Sequence, residues 1–322
     1  LVRPVPCIAG REGRHPAIKT RAPDSRRFSA STPRASSRRT RSRCLESRPT
    51  SRQSHPGVRL RGLAEMTISE GRVIVTGATR GIGRAVVDAI LARGGRVVAI
   101  ARSQAALRAL EAASPERVRG IPVDLMDADR LGPVADQAVD AFGGVDGLIN
   151  CAGVACYEGV GEITVGSVEA QLRVNLVAPL LLCQAVALRM RGRGGSIVNV
   201  SSTLSERAAA LTSVYAATKA GLNALTRGLA LELAPDRIRV NAVLPGGVDT
   251  DMLRGPRTRP GESLEPEAMA ARVEAQLAGL AALHPLGRLG RPEEVAEVIV
   301  AVLDREWQTG SLVTIDGGLS LK

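Results

Sequence analysis

The sequence predicts a single doubly wound α/β domain of about seven parallel strands with helices on both faces. Three observations carry that expectation. From residue 71 onward, short runs rich in β-branched residues alternate with longer helical patterns. The short runs are almost continuously apolar, as strands buried on both faces must be. The segments between them are long enough to hold a helix, which implies right-handed crossovers and parallel pairing.

The elements follow in order. Strands are expected at "RVIVT" (72–76), "RVVAIA" (96–101), "VRGIPVD" (118–124), "VDGLIN" (145–150), "GSIVNVS" (195–201), "IRVNAVL" (238–244) and "SLVTID" (311–316). Between them lie the helical patterns "RAVVDAILARGG", "QAALRALEAAS", "DRLGPVADQAVDAFGG", "SVEAQLRVNLVAPLLLCQAVALRMRG", "SVYAATKAGLNALTRGLALELA" and "PEEVAEVIVAVLD". A further segment, 251–292, starts with Pro and Gly and turns helical near 265–282. No apolar run of about 18 residues escapes interruption by charge or turn signals, so no membrane span is expected. In such sheets ligands bind beyond the carboxyl ends of the strands, where the winding reverses.

Charge separates this domain from what precedes it. The chain has 322 residues and a formal net charge of +11. Residues 1–65 hold 16 basic and four acidic residues, and 66–322 hold 27 basic and 28 acidic ones. The basicity therefore belongs to the N-terminal segment, and the domain lacks the electrostatic footprint of a nucleic-acid binder. The segment "RRFSASTPRASSRRTRSRCLESRPTSRQ" is rich in Arg, Ser and Pro, has no apolar periodicity, and reads as disordered. Met66 opens "MTISEGRVIVTGATRG". Residues 1–65 are accordingly expected to be upstream sequence read through in frame. An organelle transit peptide or a basic arm for a polyanion are the other readings. The domain, 66–322, is expected in the cytoplasm, or in an organelle if the segment is a transit peptide. Five cysteines and three histidines form no metal-ligand pattern, and the odd cysteine count argues against a disulfide framework.

The first strand runs into "TGATRGIGRAVVDAILARGG", with Gly77, Gly81 and Gly83 at the turn. Glycine lets the backbone turn sharply and approach a phosphate, and the following helix offers free N–H groups. Strand, glycine turn and helix within the first βαβ unit is the Rossmann-type context for a dinucleotide. A protein that binds the NAD ribose places Asp or Glu at the end of the second strand. Here Ala101 is followed by Arg102 and Ser103, and Arg80 lies in the turn itself. Two guanidinium forks suit the extra 2′-phosphate of NADP, so NADP(H) is the expected cofactor and no metal is.

Only three lysines occur, Lys19, Lys219 and Lys322, and only two tyrosines, Tyr157 and Tyr215. Lys219 follows Tyr215 by four residues in a helical pattern, so the two share a face. Ser202 directly follows the fifth strand pattern. Hydride transfer to a ketone needs a group that protonates the carbonyl oxygen. A free tyrosine ionises too reluctantly for the reverse step, and an adjacent ammonium stabilises the phenolate. A serine hydroxyl holds the carbonyl oxygen in line.

With these residues in place the sequence resembles the classical short-chain dehydrogenase/reductase family over about 66–322. "TGATRGIG" (76–83) is similar to its cofactor turn, which implies contacts from Gly77, Thr79, Arg80, Gly81, Ile82 and Gly83. "VDL" (123–125) is similar to its adenine contact, through Asp124 and Leu125, and "NCAG" (150–153) to its Asn-Asn-Ala-Gly, which implies Asn150, Ala152 and Gly153. Asn175 in "RVNL" matches the family's fourth catalytic residue, which supports a proton relay beside Ser202, Tyr215 and Lys219. Asn241 and "PGGVDTDM" (245–252) resemble the segment after the sixth strand, placing Pro245, Gly246, Val248 and Thr250 near the nicotinamide. "DGG" (316–318) is similar to the end of the last strand. Two departures stand out, Cys151 in place of Asn and a short "LDREWQTGS" (303–311).

The resemblance implies reversible NADPH-dependent reduction of a carbonyl, a ketone or 3-oxo group, to an alcohol. A 3-oxoacyl-acyl-carrier-protein reductase is a specific alternative, and a non-catalytic NADP-binding redox sensor a different class. The 251–292 segment is expected to act as a substrate lid, with Met252, Leu253, Met269 and Tyr157 lining an apolar pocket. His284 is expected to be structural. The helical patterns at 168–192 and 213–234 are apolar over more than one face. The surplus and the resemblance imply a homotetramer or homodimer.

Overall fold

The computed structural model describes residues 71–255 and 265–322. The N-terminal segment 1–65 and part of the lid segment, 256–264, lie outside the described residues. Among the described residues, seven strands form one parallel sheet in the order β3-β2-β1-β4-β5-β6-β7. The strands are β1 (Arg72–Thr76), β2 (Arg96–Ala101), β3 (Val118–Pro122), β4 (Gly147–Asn150), β5 (Gly195–Val200), β6 (Ile238–Pro245) and β7 (Leu312–Ile315). Each falls on an expected run, with ends shifted by up to two residues.

The helices are α1 (Gly81–Ala92), α2 (Gln104–Ala113), α3 (Leu131–Asp140), α4 (Val165–Leu172), α5 (Ala178–Met190), α6 (Ser213–Leu233), α7 (Asp251–Arg254), α8 (Pro266–Leu283) and α9 (Pro292–Asp304). Strand alternation sends successive side chains to opposite faces. Val73 and Val75 join a core with α1, α2 and α9, while Ile74 joins one with α3, α5 and α6. Each fully buried Ile or Leu side chain contributes roughly 1.5–3 kcal/mol to that arrangement.

A π turn at Arg173–Val177 joins α4 and α5 into one helix, Val165–Met190. By length and composition alone this helix could cross a membrane, although half of its apolar stretch is buried inside the fold. That burial accounts for its apolarity on one side. The other side leaves Leu172, Leu180 and Leu188 exposed, and Leu231 of α6 is exposed too.

The winding reverses between β1 and β4. The cleft beyond Thr76 and Asn150 is thus the expected ligand position. At the other end of the sheet, Arg72 of β1 makes two charge-assisted bonds of 2.7 Å to Asp146, ahead of β4. Burial alone would raise the Asp146 pKa, but the Arg72 bonds outweigh it and hold the carboxyl below its usual range.

Candidate active site

The glycine turn is built for close backbone approach. Gly77 has φ +68° and a Cβ there would lie 2.9 Å from Ala152 Cα, so only glycine fits. A Cβ on Gly83 would lie 2.3 Å from the Gly77 carbonyl oxygen. Thr76 Oγ1 accepts the N–H groups of Cys151 and Ala152 at 3.0 and 3.1 Å and binds the two strand ends together. Helix α1 begins with no side-chain cap and no acid in its first turn. By contrast, Ser103 caps α2 through Ala106 N, and Thr164 and Ser167 form a capping box on α4. The start of α1 thus presents unclaimed N–H groups and a positive dipole end, and the cradle fits a pyrophosphate.

The two candidate 2′-phosphate arginines differ. Arg102 is exposed and makes no hydrogen bond or ion pair among the described residues. Arg80 lies 3.6 Å from Asp251, with both side chains largely exposed, so it is already shared. Asp124 is exposed, and its Oδ1 accepts Met126 N–H at 3.0 Å. Leu125 is buried beneath it. Asn150 does not turn its side chain to the cleft. Its Nδ2 donates to Asn199 Oδ1 at 2.9 Å inside the fold, leaving only its main chain for a cofactor.

Beyond β6, Val248 is buried and bridges to Gly290, while the Thr250 methyl lies against Gly81. Gly246 is wedged against Asp316 and His284. His284 accepts Gly247 N–H at Nε2, 3.0 Å, and meets Leu280 O at 2.8 Å through Nδ1. That fixes its proton on Nδ1 and ties the end of α8 to the loop after β6, a structural role as expected. Asp249 is clamped by Arg254 at 2.6 and 2.8 Å.

Ser202, Tyr215, Lys219 and Asn175 come together from three elements. Ser202 follows β5, Tyr215 and Lys219 lie on α6, and Asn175 sits in the π turn. The Ser202 hydroxyl neighbours the Tyr215 phenol and works to lower its pKa. Its neighbour Ser201 instead donates to Lys219 O at 3.2 Å, so its hydroxyl serves the helix. Lys219 Nζ donates to Val200 O at 2.9 Å and lies 5.7 Å from the Tyr215 ring centre. A Cβ at Gly153 would lie 3.4 Å from Asn175 Oδ1 and 3.5 Å from Lys219 Nζ, which places this turn directly beside both residues. Asn175 spends its amide on structure: it grips Val154 N and O at 2.9 and 2.8 Å and Thr218 Oγ1 at 3.1 Å. It does so in a π turn that departs from the α-helical hydrogen-bond ladder.

The electrostatics refine the expectation for this pair. Burial, first, and then Tyr157 and Cys151 push the Tyr215 phenol well above its usual range, and the Ser202 hydroxyl opposes them. The Lys219 ammonium is turned to Val200 O. Burial lowers Lys219 itself to about 8. Burial pushes the Cys151 thiol up to about 12, so it is an inert neighbour.

The family model described as short chain dehydrogenase matches residues 72–260. The chain belongs to the short-chain dehydrogenase family. Like its relatives, this short-chain dehydrogenase is an oxidoreductase acting on CH–OH groups with a nicotinamide cofactor. It is 39% identical to the L-xylulose reductase of Mesocricetus auratus over 258 residues, covering 79% of this chain and 98% of the relative. It is 38% identical to the D-erythrulose reductase of Gallus gallus, covering 77% of this chain and 94% of the relative. Among solved structures, the aldohexose dehydrogenase of Thermoplasma acidophilum in ligand-free form superposes with a TM-score of 0.68 at 28% identity, covering 79% and 96% of the two chains. ElxO with NADP bound shares the fold at a TM-score of 0.68, with 23% identity and 79% and 100% of the chains covered.

The segment expected to act as a lid departs from expectation in one respect. A cleft of about 960 Å³ lies under α8, lined by Met269, Val273, Leu277 and Leu289 among others, but not by Ser202 or Tyr215. Met269 therefore faces a space apart from the chemistry, whereas Met252 Cε comes within 3.9 Å of the Gly153 Cβ position, beside Lys219. Sequence reasoning missed Thr76 and Thr218, which hold the turn and Asn175. Thr218 stands one residue before Lys219 and is buried, as are the polar Lys219, Asn223 and Thr226 of the same helix.

Proposed function

We propose that this short-chain dehydrogenase is an NADPH-dependent reductase of small ketones of the ketose kind, working reversibly. The observation that carries the reading is the convergence of Ser202, at the end of β5, with Tyr215 and the buried Lys219 ammonium, which lies 5.7 Å from the phenol ring. When bound, NADP(H) supplies or accepts the hydride. The glycine turn with Thr79 and Ile82, the start of α1, Arg102, Arg80, Ser103 and Asp124 would hold its adenine half. Ala152, Gly153, Pro245, Val248 and Thr250 would hold its nicotinamide half, and Lys219 the ribose between them.

The chain's own residues then do the rest. Ser202 Oγ holds the carbonyl oxygen. Tyr215 gives that oxygen its proton as the carbonyl carbon gains hydride, and in reverse takes the proton from the alcohol. A cation 5.7 Å from the phenol ring favours the phenolate left behind. Asn175 supports the proton's return path. The ketose preference rests on the reductases named above, whose lengths are almost wholly matched. A homodimer or homotetramer through the exposed leucines of α5 and α6 completes the proposal.

The test follows NADPH absorbance with xylulose, erythrulose and a 3-oxoacyl thioester. Ketoses should turn over fastest, and NADPH should exceed NADH. Tyr215→Phe should lower kcat by roughly 10²–10⁴-fold. Full activity of that variant would refute the mechanism, and a preference for the thioester the substrate class.

A further inference from the structure

We propose that Ser205 and Asn223 are positioning residues that hold Ser202 against Tyr215. The proposal rests on the reductase reading above. Ser205 Oγ donates to the main-chain carbonyl of Ser202, and Asn223 Nδ2 donates to Ser205 Oγ at 2.8 Å. Asn223 lies on α6, one turn beyond Lys219 and two beyond Tyr215, and is only 4% exposed. Tyr215, Lys219 and Asn223 thus form one stripe on the helix.

The direction of the chain matters. A hydroxyl has one proton to give. Because the Asn223 amide donates into the Ser205 oxygen, the Ser205 proton is left for the Ser202 carbonyl. Ser202 Oγ itself accepts Leu204 N–H at 3.1 Å, which leaves its own proton for the phenol. The polarity therefore runs from Asn223 through Ser205 to Ser202, and the residue at its end is the one that lowers the Tyr215 pKa.

Two features separate this from ordinary packing. Asn223 Oδ1 is buried without a partner among the described residues, a penalty that an apolar side chain would avoid. The strand end is also fastened to α6 twice already, by Lys219 Nζ to Val200 O and by Ser201 Oγ to Lys219 O. The third link differs in gripping Ser202, the residue that meets the phenol. Loosening it should let the Ser202 hydroxyl drift from the phenol, raise the phenol pKa and slow proton transfer, with little effect on binding.

The experiment compares Ser205→Ala, Ser205→Thr and Asn223→Ala in the full chain, with NADP+ and an alcohol and with NADPH and a ketone. Ser205→Ala and Asn223→Ala should lower kcat about tenfold with KM values within about twofold. The acid limb of the pH profile for alcohol oxidation should move to higher pH. Ser205→Thr, which keeps the hydroxyl, should recover most of the rate. In a Ser202→Ala background neither alanine should lower the residual rate further, because both act through Ser202. An unmoved acid limb, or the same tenfold loss in the Ser202→Ala background, would overturn the proposal. Should Asn223→Ala fail to fold, Ser205→Ala, at a half-buried position, decides alone. A wild-type chain inactive on every ketone overturns the reductase reading instead; an active one with an unmoved limb overturns only this assignment.

Discussion

Lys219→Met is the perturbation that most directly probes the site's electrostatics. The ammonium is 3% exposed, and burial brings its pKa from 10.5 to about 8. That gap corresponds to about 3 kcal/mol of penalty for keeping the charge inside the fold. The unfolded chain binds this proton more readily than the folded one between about 8 and 10.5, so wild-type stability gains from this site as pH rises through that window. Below about 8 the full penalty applies, and above 10.5 it is gone. Methionine fills similar volume and carries no charge. It also forfeits the 2.9 Å bond to Val200 O, which costs about 1–3 kcal/mol at any of these pH values. Near neutral pH the variant should therefore match the wild type or exceed it by up to about 2 kcal/mol. At high pH it should fall below it. The swing between the two conditions, about 3 kcal/mol, does not depend on the lost hydrogen bond. Urea unfolding of both proteins at neutral pH and near pH ~10 measures it. The variant should be inactive throughout. A stability difference that stays constant across the window would show that Lys219 keeps its ordinary pKa, and the reasoning about its burial would fail.

Arg102→Gln should raise KM for NADPH about tenfold and leave NADH unchanged, while Arg80→Gln should do less because Asp251 already shares that guanidinium; the kcat/KM ratio of the two cofactors reads both. Gly83→Ala drives a methyl into the Gly77 carbonyl and should cost about 3 kcal/mol, with NADPH no longer raising Tm. Asp146→Asn breaks the paired bonds to Arg72 and should destabilise by about 1–2 kcal/mol near neutral pH. Because the native carboxyl titrates below its usual range, the wild-type advantage is present above that range and fades as pH falls through it, which unfolding curves at several acid pH values would show.

Most of the fold was legible because parallel strands must be apolar on both sides, a pattern that survives without knowledge of partners. The glycine turn was legible for a similar reason: Gly77 and Gly83 occupy places where a Cβ has no room. What escaped was set by tertiary contact. No residue in "RVNLV" announces a π turn, since the extra residue is accommodated by how Asn175 grips Val154. Arg80 reads as free for phosphate until α7 brings Asp251 alongside it. Sequence puts Lys219 one turn from Tyr215 but not its ammonium on Val200 O, and it cannot show that burial dominates the phenol. Met269 is placed in the lid by sequence position, yet it lines a cleft that Ser202 and Tyr215 do not reach.

These contacts suggest a division of labour within the site. The serine and the tyrosine come from different elements, a strand end and a helix, and the twelve residues 201–212 lie between β5 and Ser213. A loop of that length would leave their separation variable if the loop alone set it. Instead the bonds at Val200, at Ser201 and through Ser205 tie the strand end to the turns of α6 that carry the chemistry. Proton transfer is sensitive to a fraction of an ångström, and this stitched junction supplies that precision from the rigid part of the fold. We propose that specificity is left to the 251–292 segment. Its helix α8 buries no residue fully and is held at its end by His284. Exchanging that segment should therefore alter which ketone is accepted and leave the acid limb of the pH profile where Ser202 and Tyr215 put it.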